Sequence, residues 1–88
     1  MSKEALKYNQ RLLGQRIKSI RISQGYTSHE SFANEHDISR AQYFRYEKGM
    51  NIGFDNLLKI IAAFKMTPEE FFSAGFEGLD LESINSKH

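Results

Sequence analysis

From Ser28 to Gly49 the sequence allows two short helices with only a tight turn to join them. Thr27 is followed three residues later by Glu30, a capping-box pattern in which each side chain satisfies a free backbone amide at a helix start. Phe32 and Ala33 then point inward. Asp37 and Ser39, on either side of Ile38, are turn and cap residues, so this helix is limited to about two turns. Ser39 caps the next helix, Tyr43 and Tyr46 are its inward residues, and Gly49 supplies the left-handed conformation that closes it. Arg40, Gln42 and Arg45 are left facing outward as a long, polar, cationic surface.

The rest of the chain reads as a frame for this unit. Leu13, Ile17 and Ile20 recur at i, i+4 and i+7, one face of a helix from about Asn9 to Gln24 that Gly25 stops. Ala5, Leu6 and Tyr8 either extend that helix or fray. Phe54, Leu57, Leu58, Ile61 and Phe64 make an apolar stripe from about Gly53 to Lys65. Thr67-Pro68-Glu69-Glu70 reads as an N-cap, a first-turn proline and two acids that complement the helix dipole, so a short helix with Phe71 and Phe72 follows, ending near Gly75. With 88 residues there is room for one core. The expected fold is all-α, a compact bundle of about five short helices over residues 9–76. Residues 1–8 are expected to be flexible or helix-extending, and residues 77–88 a mobile acidic tail.

Net charge is +1 over the chain, but residues 1–50 hold nine Lys or Arg against five Asp or Glu, while residues 51–88 hold three against six. A basic front half points to an anionic partner, with unevenly charged solvated faces as the plainer reading. The absence of cysteine removes disulfides and thiolate metal sites, and no signal-like or membrane-spanning run is present, so a cytoplasmic location without membrane contact is expected. There is no glycine-rich phosphate loop and no nucleophile with a base at sensible spacing, which argues against an enzyme. His29 and His36 lack a third ligand, so neither a metal nor another cofactor is expected; His36 reads as a half-buried ring.

Two short helices joined by a tight turn, the second rich in outward Arg and Gln, have the geometry for insertion into the major groove of DNA. The stretch SHESFANEHDISRAQYFRYEKG, with the helices on either side, resembles the helix-turn-helix family of Cro and lambda-type repressors, the XRE regulators, over about residues 12–73. The matching positions are Arg21, Phe32-Ala33, Asp37-Ile38-Ser39 and Glu47-Lys48-Gly49. The sequence departs from the family pattern in a longer loop at Gly25 to Ser28, in Asp37 where glycine is usual, and in Ile52 where proline is common. Asp tolerates the left-handed conformation, so the turn survives.

The resemblance implies a lambda-repressor-like, sequence-specific transcriptional regulator, a repressor, acting as a homodimer on double-stranded DNA with no evident small-molecule substrate. Carried over by position, Arg40, Ala41 and Arg45 face base edges and His29, Gln42 and Lys48 approach phosphates or flanking bases, with Ser39 at the head of the reading helix. An Arg donating to guanine O6 and N7 implies a guanine in each half-site. Arg21 and Glu47 are implied to form a structural salt bridge. Phe44, where the family has a small polar residue, either packs against Ile52 or Met50 or meets a partner or the DNA backbone. Phe71, Phe72 and Phe76 read as core and cap residues, an exposed subset serving as a possible dimer contact. The rival reading is the same fold used as a protein-interaction module, such as an antitoxin or adaptor.

Overall fold

The computed structural model describes residues 3–85; Met1 and Ser2 of the expected N-terminal segment and residues 86–88 of the expected tail lie outside them. Five helices follow one another, α1 (Lys3–Ser23), α2 (His29–Glu35), α3 (Arg40–Glu47), α4 (Phe54–Ala63) and α5 (Pro68–Phe71), with no strand among the described residues. The fold is therefore all-α. Ala5, Leu6 and Tyr8 belong to α1, which reaches Lys3 as a continuous helix.

The helix starts follow from side-chain caps. Ser28, not Thr27, is the N-cap of α2: its Oγ accepts from the Ser31 amide at 3.1 Å, and the Ser31 hydroxyl donates back to the Ser28 carbonyl at 2.9 Å. This shift by one residue frees Glu30 from capping. Ser39 accepts from the Gln42 amide at 3.4 Å to start α3. Thr67 and Glu70 form a reciprocal capping box with Pro68 in the first turn of α5, which holds the Glu70 carboxyl below the ordinary glutamate range through the backbone amide of Thr67.

Two helix ends turn without glycine. Asp37 takes φ 56° between α2 and α3, and the Ile38 amide then donates to the Ala33 carbonyl at 2.9 Å. Lys65 takes φ 59° after α4, where the Met66 amide returns to the Ile61 carbonyl at 3.3 Å. A short polar side chain at the first site lowers the cost of that conformation; Lys65 has no such help, and nothing in its sequence signals the turn.

The core is built around Phe32, which is fully buried with ring centroids of Tyr43 at 5.0 Å, Phe64 at 4.9 Å and Tyr26 at 5.1 Å. Ile17, Ile20, Ile60, Ile61 and Phe71 complete it. The His36 ring lies 4.5 Å from Phe32, its Nε2 lies 3.3 Å from the Tyr26 hydroxyl, and that hydroxyl also donates to Glu35.

Arg16 joins α5 to α1: its Nε donates to the Phe71 carbonyl at 2.8 Å and its Nη2 to the Glu70 carbonyl at 3.0 Å, with the guanidinium over the Phe71 ring. The Phe71 carbonyl is one that a helix end leaves unpaired, while that of Glu70 also accepts from Ser73. Beyond α5 the described residues form no regular helix, yet the chain returns to α1. The Asn9 side-chain amide donates to the Asp80 carbonyl at 2.9 Å and accepts from the Asp80 amide at 2.8 Å.

Candidate nucleic-acid interface

α3 is eight residues long, too short to hold its own orientation, and three contacts fix it. Tyr43 and Tyr46 are buried on its inner face. Gly14 of α1 comes so close to its last turn that a Cβ there would stand 2.6 Å from the Tyr46 carbonyl and 2.7 Å from that of Glu47. The third contact is an ion pair: Arg21 Nε donates to Glu47 Oε2 at 2.7 Å and Arg21 Nη2 to Glu47 Oε1 at 3.2 Å, with side chains only 6% and 7% exposed.

The fork geometry gives two parallel charge-assisted bonds. The hydrogen bond to Glu47 holds the Arg21 guanidinium above its already high ordinary value, outweighing burial. Arg21 Nη1 also donates to the Tyr26 carbonyl at 2.7 Å. One guanidinium thus ties α1, the loop before α2 and the end of α3. The Tyr43 hydroxyl is buried with no hydrogen-bond partner among the described residues, and burial pushes its ionisation far above the ordinary tyrosine range.

On the other side of α3, Arg40, Ala41, Gln42, Phe44, Arg45 and Lys48 are exposed. Arg40 Nη1 lies 3.3 Å from Glu30 Oε2, an exposed pair between the first turns of α2 and α3. Gln42 is turned along the helix, its Nε2 donating to the Tyr46 hydroxyl at 2.5 Å. Arg45 is paired with no carboxylate among the described residues. His29 stands beside Phe44 with ring centroids 4.7 Å apart, and Lys48 Nζ lies 5.2 Å from the Phe44 ring on α3. Phe44 thus takes His29 and Lys48 as its neighbours.

His29, Arg40, Ala41 and Phe44 therefore gather with Glu30 around one notch, while Ser39 serves as the α3 cap. Glu30, Gly14 and Arg16 were not legible as functional or positioning residues. Gly14 did carry a signal: an isolated glycine inside a helical pattern costs about 1 kcal/mol against alanine and marks close approach of another backbone. Glu30 was assigned to a cap that Ser28 fills.

The arrangement is a short, rigidly anchored helix with a cationic outer face. No group of three or more His, Asp or Glu able to hold a metal ion occurs among the described residues, and no described helix is long and apolar enough to cross a membrane. A profile of the helix-turn-helix family matches residues 17–71, from the middle of α1 to the end of α5. The chain is 38% identical over 60 residues to the control protein C.BamHI of Bacillus amyloliquefaciens, an alignment covering 67% of this chain and 74% of that protein. No solved structure gives a significant match. The matched span contains the tight turn, the anchoring ion pair and the exposed arginines together, and the chain accordingly belongs to the helix-turn-helix family, in its Cro and lambda-type (XRE) form, and is a DNA-binding transcriptional regulator.

Proposed function

We propose that the protein binds operator DNA as a homodimer, each copy laying α3 in a major groove, and that it acts as a repressor. The observation that carries this is the exposed face of α3, where Arg40 and Arg45 stand out from a helix whose inner face is locked by Arg21–Glu47 and Gly14. Arg40, Ala41 and Arg45 read base edges, with a guanine in each half-site accepting two hydrogen bonds from an arginine. His29, Gln42 and Lys48 approach the phosphates. Gln42 and Arg40 must first give up Tyr46 and Glu30, their partners in the free protein. Ser39 holds the helix start at the groove.

One α3 offers little contact area, and a two-fold dimer doubles it on half-sites about 34 Å apart. Phe54, 72% exposed, Leu58 and Ala62 line one side of α4 at i, i+4 and i+8 and supply the apolar surface for such a pairing. Repression follows from occupancy, since a dimer seated on a promoter blocks it without further parts. Selection from random duplexes tests the reading: a two-fold symmetric site with a shared guanine in each half is the expected result. Recovery of sites without any shared guanine overturns the arginine assignment, and monomeric binding seen by sedimentation on that DNA overturns the dimer.

A further inference from the structure

The exposed face of α3 includes one large side chain that arginine readout does not use. Phe44 is 41% exposed, yet its ring is held from two sides, by the His29 ring at 4.7 Å and by Lys48 Nζ at 5.2 Å. Ala41, one turn before it, is exposed as well. Ala41 and Phe44, with His29, Glu30 and Arg40, line an open notch of about 410 Å³. The notch has an apolar floor, Ala41 and Phe44, and a polar rim.

Of the groups that base pairs present in the major groove, the C5 methyl of thymine is the apolar one. We infer that this notch seats a thymine C5 methyl against Ala41 and Phe44, which makes Phe44 a specificity-determining residue; the inference rests on the groove reading proposed above. Charge supports DNA as the occupant, because Arg40 lines the notch and Lys48 stands against the Phe44 ring, two cations to the single carboxylate of Glu30. The clamped ring loses little side-chain freedom on binding, so the contact keeps most of its gain. A cytosine at the same place lacks the methyl and leaves Ala41 and Phe44 without an apolar partner. The thymine therefore accompanies the arginine-bound guanine in the same half-site.

Uracil differs from thymine only by that methyl. In the selected site each thymine is replaced singly by uracil, and dissociation constants are measured for the wild type, Phe44→Ala and Phe44→Leu. For the wild type one thymine in each half-site is expected to show about a fourfold loss, the value of one buried methyl. In Phe44→Ala that penalty disappears at this position and stays unchanged elsewhere. Should Phe44→Ala fail to fold by circular dichroism, Phe44→Leu, which reshapes the floor while keeping it apolar, must reduce the penalty at this position alone. A sequence-specific wild type that tolerates uracil everywhere, or a penalty that no Phe44 variant alters, overturns the inference and leaves groove reading intact. Binding without any sequence preference overturns both.

Discussion

At the scale of single residues, α3 divides between anchors and readers. Glu47 is nearly buried opposite Arg21, so Glu47→Ala leaves a guanidinium without its partner and is expected to cost about 3 kcal/mol or more. Arg45→Ala removes an exposed side chain and is expected to change stability by about 0.5 kcal/mol at most while weakening operator binding. Paired thermal melts and DNA titrations check the ranking, and its reversal would show that the two roles are exchanged. Tyr43 gives a pH-dependent case. Its hydroxyl is buried without a partner and ionises well above the ordinary tyrosine range. A folded pKa raised above the unfolded value means that its contribution is complete below about pH 10, the ordinary tyrosine value, and is lost as pH rises beyond it. Tyr43→Phe is therefore expected to be neutral or slightly stabilising at pH 7 and to lose less stability than the wild type between pH 9 and about pH 11, as denaturant titrations at each pH will measure.

At the scale of elements, the helix ends decide how the recognition unit is held. Gly14 touches the final carbonyls of α3 closely enough that a methyl group cannot fit. Gly14→Ala raises helix propensity in α1, worth about 1 kcal/mol in isolation, yet it forces α1 and α3 apart. The overpacking penalty of about 1–3 kcal/mol prevails, so the variant is expected to melt lower and to bind DNA more weakly than the wild type; an unchanged melting temperature would show that the two helices are free to separate. Periodicity and caps made most of this architecture legible. The α3 start at Ser39, its buried tyrosines and the Thr67 cap with Pro68 in the first turn of α5 all depend on neighbours in sequence. What escaped depended on partners distant in sequence or on competition between adjacent residues. Arg16 meets α5 carbonyls across more than fifty residues of chain, and Ser28 displaced Thr27 because Ser31 pairs with it reciprocally. The left-handed Asp37 was readable as a turn from its side chain, whereas Lys65 was not. At the interface, the types and spacing of the exposed cations were legible, but the Arg40–Glu30 pair and the His29–Phe44 contact required the packing of α2 against α3.

For the whole molecule, charge is divided along the chain, +4 in residues 1–50 and −3 in residues 51–88. Binding that draws on the basic half releases counterions from DNA, so affinity falls steeply with salt. Lys48→Ala is expected to weaken binding to all sequences alike and to reduce the slope of log affinity against log salt by about 1. A change confined to one sequence would make Lys48 a base reader instead.

The clasp between Asn9 and Asp80 joins the two ends of the described chain. It binds side chain to backbone in both directions, and Gly78 next to it lies against Tyr8 and Leu12. Trimming either end is therefore not a local operation: removal of the residues after Gly78 strips the first turns of α1 of a covering, and loss of those turns releases the tail. The anchored recognition helix, held through Gly14 and Arg21 further along α1, keeps its position in either case.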